Sequence, residues 1–406
     1  MTGSGVASVI PIFLSIILTR LYSPENYGSF AIFLSTASLL SMLVTIQYCS
    51  AILLPAGDTT ASHVALLSLL ITLVVAVSVA IVFLILDVCD VAIIRHGWLL
   101  PISLIFSGCN AILMPWSNRL KRYRVSSRSK ITSVVAAGAV QLLLGSVYPS
   151  SFGLIVGYLC GQIAMAAVYL WSNKSLIGLI HANIPSVGQL KGLSLQYKNF
   201  LLLATPSAIV EAAISNLPIY AFALLYTGND IGYLGLTLRI LLGPVNILSM
   251  SVSQVFGQKA VEDGRKTGTC RPLFQKTLLG LCLMGLPVFA VISMFGPDLF
   301  SFAFGGEWAT SGQFARPMAI MFFFKFISAP LLFVFYLANR QKQFFLFNIT
   351  ALLVSCLGML YTSGMQGGAS MLISVYAITS SISFLILLFF AYHHSGNRLS
   401  SIQTEA

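Results

Sequence analysis

Apolar stretches of about 20 residues, the length an α-helix needs to cross a hydrocarbon core, recur near positions 3–21, 28–54, 63–86, 98–116, 131–148, 152–172, 199–226, 231–256, 277–303, 313–337, 344–363 and 368–392. This recurrence restricts the fold more than any other feature, because a chain in lipid must satisfy its own backbone polar groups and a helix does so segment by segment. The pattern predicts an all-α polytopic membrane protein with about twelve transmembrane helices. Composition agrees: 57% of residues are hydrophobic, 8% are charged and the mean hydropathy is +0.91, whereas about a quarter of a soluble domain is charged. The first run, Ser4 to Leu18, lacks a basic n-region and a small-residue cleavage site, and reads as a retained span.

The net charge of +11 is distributed by connection. Arg119, Lys121, Arg122, Arg124, Arg128 and Lys130 follow predicted helix 4, Lys174, Lys191 and Lys198 follow helix 6, Lys259, Arg265, Lys266, Arg271 and Lys276 follow helix 8, and Arg340 and Lys342 follow helix 10. The odd connections hold Arg20 and Arg95 beside Glu25, Asp87, Asp90, Asp230, Asp298 and Glu307. By the positive-inside rule both termini are cytoplasmic. The basic loop 117–130 therefore reads as a topology signal with weak attraction for membrane lipid, not as a nucleic-acid site. The seven cysteines have no metal-ligand or redox spacing, and neither metal nor cofactor is implied.

A short motif repeats. "LTRLYSPENYG" (18–28) joins helices 1 and 2, and "LLYTGNDIG" (224–232) joins helices 7 and 8. Leucine, tyrosine, a hydroxyl residue, a turn former, a polar pair and glycine recur in one order, suited to a tight exit from one helix and entry to the next. An even number of helices separates the copies, so the repeat is parallel, with two six-helix lobes related about the membrane normal. The expected lobes are 1–185 and 186–406, split within the longest cytoplasmic connection.

These stretches, with "AILLP" (51–55), "NRLKRYR" (118–124), "GLIVGYLCGQ" (153–162), "ATPSAIVEAAISNLPIYAFALLY" (204–226), "QVFGQKA" (254–260) and "FGGEW" (304–308), resemble the Wzx-type flippases for O-antigen and related repeat units. These are polysaccharide biosynthesis proteins of the multidrug/oligosaccharidyl-lipid/polysaccharide exporter superfamily. The resemblance implies two six-helix bundles around a central cavity. It also implies an undecaprenyl-pyrophosphate-linked oligosaccharide turned from the cytoplasmic to the periplasmic leaflet by alternating access, with polysaccharide polymerase and chain-length proteins as partners in lipopolysaccharide biosynthesis.

Ionisable side chains deep in spans cost about 2.5 to 3.5 kcal/mol each on insertion scales and by default face a cavity or a partner. Glu211 in helix 7, Arg239 in helix 8 and Lys325 in helix 10 qualify, and all three are counted to the second half. Arg239 opens a stripe with Gly243, Asn246, Ser249 and Ser253, helix 7 repeats Ser207, Glu211 and Ser215, and helix 2 offers Ser35, Ser38, Ser41 and Thr45. A pyrophosphate needs cations, and guanidinium binds its oxygens bidentately. Arg239 and Lys325, aided by Arg20, Arg316 and Asn246, are the expected substrate-binding residues. Glu211 is read as a charge pair or an ion-coupling carboxylate. The amides Gln47, Asn110, Gln141, Gln162 and Asn216 are expected to bond between helices, and Gly153, Gly157 and Gly161 to bring two helices close.

An enzyme is not expected. The sequence lacks a P-loop, an H-E-x-x-H pair and a G-x-S-x-G elbow, and its longest odd connection, 87–97, is too short for the large periplasmic loop of a polymerase. The nearer rival is an ion-coupled multidrug exporter of the same superfamily, which would want acidic residues deep in the first half.

Overall fold

The computed structural model describes residues 2–89, 94–338, 340–365 and 367–396, without the side chains of 2–9, 244, 246, 247, 250, 251, 254, 265–267, 336 and 341. Its long helices are α1 (Thr2–Leu21), α2 (Pro24–Val44), α3 (Asp58–Val88), α4 (Leu100–Arg119), α5 (Tyr123–Val147), α6 (Ser151–Ser172), α7 (Thr205–Leu225), α8 (Gly228–Thr267), α9 (Arg271–Phe304), α10 (Ala309–Ser328), α11 (Gln341–Gly364) and α12 (Ala369–Ser395). The protein is an all-helical, multi-pass membrane protein. Nine helices among the described residues are long and apolar enough to cross a membrane. Helices α1, α8 and α10 fall outside that set, short of the twelve spans read from the sequence. For α10 the reason is packing: Ser311, Gly312, Ala315, Met318 and Phe322 are buried against its neighbours, so helix contacts take the place of lipid and the helix carries more small and polar residues.

The chain divides into two compact units, one running to Ile219 and the other starting at Tyr220. This falls later than the expected 185/186 boundary. Two short helices in the connection, Lys174–Ala182 and Val187–Gln196, dock on α3, and their Leu176 and Leu193 enter a buried cluster with Val64, Ala65, Trp116 and Tyr169. The connection is thus part of the first unit, as is the segment of α7 that carries Glu211.

In the first unit α5 and α6 form the most extensive pair, α1 lies on α5, and α2 packs on α3, α4 and α6. The glycine run sets the α5–α6 approach. A Cβ on Gly157 would stand 2.9 Å from the Ala137 carbonyl oxygen, and one on Gly161 2.7 Å from that of Ser133, both inside contact distance. In the second unit α10 is central, touching α8, α9 and α12. Its crossing with α9 is as close, since a Cβ on Gly296 would stand 2.6 Å from the Gly312 carbonyl oxygen.

The repeated motif folds alike in both units. Ser23 caps α2 by accepting from the Asn26 amide, and Thr227 caps α8 within a capping box with Asp230. The preceding tyrosines reach the same part of each unit. Tyr22 Oη donates to the Gln141 carbonyl at 2.7 Å, near the α5–α6 connection, and Tyr226 Oη donates to the Gly367 carbonyl at 2.7 Å, in the α11–α12 connection. Tyr22 lies against Gly145 and Gly153, where a Cβ would come within 2.7 Å of its ring or hydroxyl. The copies then diverge: Asn26 reaches across to Pro149 and Ser151, whereas Asp230 folds back on Thr227.

Two outcomes test this packing. Gly312→Val at the α9–α10 crossing is expected to lower stability by about 1 to 3 kcal/mol or more, read as a lower Tm in detergent, while Gly280→Ala, with open space at its Cβ, leaves Tm unchanged. Cys270 lies between α8 and α9, fully buried, and burial pushes its thiol up to about 11. At neutral pH it stays protonated and enclosed, so a single-cysteine Cys270 protein is expected to resist maleimide in detergent, while the exposed Cys89 is expected to be labelled.

Candidate functional site

Glu211 lies on an exposed strip of α7 with Ser207 and Ser215, as the four-residue spacing requires. The π-helical turn Phe200–Ala204 leads into this helix, and Thr205 Oγ1 donates to the Phe200 carbonyl at 2.9 Å within it. Such turns recur at functional positions. The hydroxyl series on α2 is less uniform, because Ser35 and Thr45 are buried, Ser41 is half-buried and Ser38 alone of the four is exposed.

On α8 the core face runs through Leu234, Thr237, Leu241 and Val245. Thr237 donates to the Ser311 carbonyl of α10 at 2.8 Å. Arg239, two positions on, is rotated by about 200° from that contact and is half-buried, so it leaves the α8–α10 seam. Gly243 shares its side, whereas Ser249 is buried with its hydroxyl unpaired among the described residues. The Asn246 side chain lies outside the described residues.

Lys325 and Arg316 both sit on α10, nine residues apart, which places them on opposite faces. Lys325 is half-buried in the last turn, where a cation complements the helix dipole, with Nζ 5.9 Å from the centre of the Phe322 ring. Arg316 is engaged by the protein. Helix α9 has a non-helical backbone at Phe295, two residues before Pro297, and Arg316 Nη2 donates to the Met294 carbonyl at 3.1 Å beside that break. A proline kink leaves carbonyls without helical donors, and Arg316 supplies one. Arg20 is exposed in the last turn of α1, ahead of the Tyr22 bend.

Two cations that sequence reasoning placed in a topology loop have specific structural partners. Arg119 donates to Asp58 at 2.8 Å and to the carbonyls of Ile52, Pro55 and Ala56, fixing the α2–α3 connection. Arg122 donates to the Ser172 carbonyl at 2.5 Å. Among the amides, Asn110 donates to Gln162 at 2.8 Å, Gln162 to Tyr158 at 3.1 Å and Gln141 to the Leu154 carbonyl at 3.0 Å. The Gln162–Tyr158 bond lies within α6 and Asn216 likewise bonds within its own helix, while Gln47 stands at a left-handed turn. No group of His, Cys, Asp or Glu among the described residues has the arrangement of a metal site.

A family model described as polysaccharide biosynthesis protein matches residues 17–313. The chain belongs to that family. No curated protein is a sequence match. Solved structures with the same fold include an inward-facing multidrug resistance MATE family transporter of the MOP superfamily, at 14% identity and TM-score 0.69 over 98% of this chain and 96% of the other. They also include the lipid II flippase MurJ in an inward closed conformation, at 14% identity and TM-score 0.73 over 96% of this chain and 86% of the other. This member of the polysaccharide biosynthesis family therefore has the MATE and MurJ fold.

Arg316→Ala is expected to leave the Met294 carbonyl without its donor and to lower stability by about 1 to 3 kcal/mol. Thermal unfolding in detergent checks this, and an unchanged Tm would return Arg316 to a purely functional role.

Proposed function

We propose that the protein is a flippase that moves an undecaprenyl-pyrophosphate-linked oligosaccharide repeat unit, of O-antigen or a similar surface polysaccharide, from the cytoplasmic to the periplasmic leaflet of the bacterial inner membrane. The family match over residues 17–313 carries this reading, and a fold shared with a lipid II flippase supports it. Chemistry adds a further argument. A lipid-linked pyrophosphate is anionic, and Arg239 and Lys325 offer cations within helices where charge is costly and therefore functional by default. Arg20 and Asn246 are assigned secondary contacts with the sugar phosphate, and Arg316 contributes charge from its place at the α9 kink. The protein binds and releases without chemistry of its own, ahead of the polymerase and chain-length proteins that would use its product.

A second reading has its own observation. The chain shares the MATE fold, and Glu211 offers a carboxylate on the exposed strip of α7, the helix that opens the second copy of the repeat and not the first half, where an exporter of cationic drugs would want one.

Clean deletion with complementation separates the two. Loss of all surface repeats, single capped units included, with lipid-linked intermediates retained inside, is the expected outcome. Unchanged polysaccharide with raised drug sensitivity would give the second reading instead. The double variant Arg239→Ala/Lys325→Ala is expected to lower export by about tenfold, equivalent to 1.4 kcal/mol of lost binding, at normal protein level. Normal export would remove both residues from the pathway. Glu211→Gln separates the two roles of that carboxylate, because a titrating group changes the pH dependence of transport and a structural one does not.

A further inference from the structure

The connection between α6 and α7 is cationic without compensation. No aspartate or glutamate occurs between Asp90 and Glu211, while nine lysines and arginines lie between Arg119 and Lys198, both included. Of the acids in the first unit, Asp58 lies at the same end of the helices, and Arg119 binds it at 2.8 Å. Lys174, Lys191 and Lys198 are exposed and, among the described residues, in no ion pair.

The two short helices of this connection, Lys174–Ala182 and Val187–Gln196, present the lysines in one pattern. Each is held on the first unit by a buried leucine, Leu176 or Leu193. Lys174 and Gly178 flank Leu176 at two positions, as Lys191 and Leu195 flank Leu193, so all four are rotated by about 200° from the buried side chain and are exposed. Lys174 and Ile177 thus share the outer face of the first helix, and Val187, Lys191 and Leu195 that of the second, with Lys198 just beyond it. Apolar side chains alternate with the cations and are open: Val187 is 84% exposed, Leu195 61% and Ile184, between the helices, 76%. Hydrogen bonds fix these faces, since Tyr48 Oη donates to the Ser194 carbonyl at 3.0 Å, His63 Nε2 donates to the Asn183 carbonyl at 2.9 Å, and Ser186 and Gln189 close a capping box. The level is fixed as well. Helix α6 ends at Ser172 and the next helix of membrane-crossing length begins at Phe200, so the connection lies between two membrane entries. Its leucines pack with Ala61, Val64 and Ala65, within the first two turns of α3, alongside that helix end instead of beyond it. Trp171, in the last turn of α6, is 74% exposed, and tryptophan favours headgroup level.

We infer that the outer faces of these two helices dock on anionic phospholipid headgroups of the leaflet they adjoin. Charge complementarity selects the occupant, because unpaired lysines beside a membrane are drawn to its anionic lipids. The interleaved Ile177, Val187 and Leu195 then enter the boundary between headgroups and acyl chains, as the apolar residues of interfacial helices do. The cations of the loop 117–130 suffice as a topology signal, whereas here lysines and open aliphatics are set on one face and held there. The inference goes beyond the cargo and holds for either reading of the transport function: the anionic content of the leaflet sets how firmly the connection, and with it the first unit, is seated.

Photocrosslinking tests the inference in full-length protein, in vesicles of phosphatidylcholine and phosphatidylglycerol with one lipid radiolabelled at a time. A p-benzoylphenylalanine at Leu195 is expected to capture phosphatidylglycerol several-fold beyond its share of the bilayer, whereas the same group at Leu283, exposed on α9, captures both lipids in proportion. Salt at about 1 M, which shortens the Debye length to about 3 Å, is expected to remove the preference. The triple variant Lys174→Gln/Lys191→Gln/Lys198→Gln is expected to remove it too, at the Tm of the parent, while arginine at the same three positions keeps it. If the triple glutamine variant does not fold, Lys191→Gln alone is expected to reduce the preference. Proportional capture at Leu195, no lipid capture there, or a preference that survives salt or the glutamine substitutions would overturn the proposal. Capture of a protein at Leu195 in cells, with no lipid captured in vesicles, would overturn it as well and assign the face to an acidic partner.

Discussion

A carbonyl oxygen in hydrocarbon needs a donor, and where a helix bends or ends the helix itself no longer provides one. The structure meets this requirement with side chains at successive breaks. Tyr226 donates to Gly367 in the α11–α12 connection, Arg316 donates to Met294 at the α9 kink and Arg119 gathers three carbonyls of the α2–α3 connection, while Tyr22 adds a second donor to a carbonyl inside α5 and Thr205 adds one to the Phe200 carbonyl, which also accepts the Thr205 backbone amide. The breaks give the helices their directions, so these bonds fix the frame on which the polar faces stand.

The same requirement explains why the tyrosine–glycine motif occurs twice. Each bend leaves one helix and enters another within a few residues, and each hydroxyl cap organises the new helix start while the tyrosine ties the bend to a distant carbonyl, Tyr22 to Gln141 inside α5 and Tyr226 to Gly367 in the α11–α12 connection. Only the polar pair has diverged. Asn26 is a bridge to the start of α6, and Asp230 serves its own cap, so the first bend is tied to its unit at two places and the second at one. The repeat is therefore a solution to a backbone problem, and it carries the architecture without specifying a cargo.

Much of this was legible because hydropathy and spacing are local properties. The apolar runs marked the long helices, the two motif copies marked equivalent bends, and the 153–161 glycines marked a close crossing. The role of Arg316 was hidden because it depends on a kink in a helix 22 residues earlier, and that of Arg119 because its partners lie more than 60 residues away. The docking of the connection was hidden because Leu176 and Leu193, two ordinary leucines in a charged segment, are anchored in a first-unit cluster. Of the residues chosen for function, the Ser207–Glu211–Ser215 strip emerged as one exposed surface, while the α2 hydroxyls split between interior and surface because one helix face there serves both packing and exposure.

A cargo with a charged head, a sugar portion and a long hydrocarbon tail imposes requirements that no single surface meets. The tail cannot enter a polar path without exposing apolar area, at roughly 25 cal/mol for each Å², and the head cannot enter lipid without leaving its charge unpaired. A protein that turns such a molecule over must therefore offer a wet, cationic face and a dry, lipid-facing one at the same time. The second unit contains both kinds of surface: Arg239 turned out of the α8–α10 seam and Lys325 at the end of α10, and between α11 and α12 a groove whose hydroxyls are all turned inward to their own helices. Under the proposed flippase function this division of chemistry is what an amphiphilic cargo demands, whereas a carrier of small soluble cations would need the polar face alone.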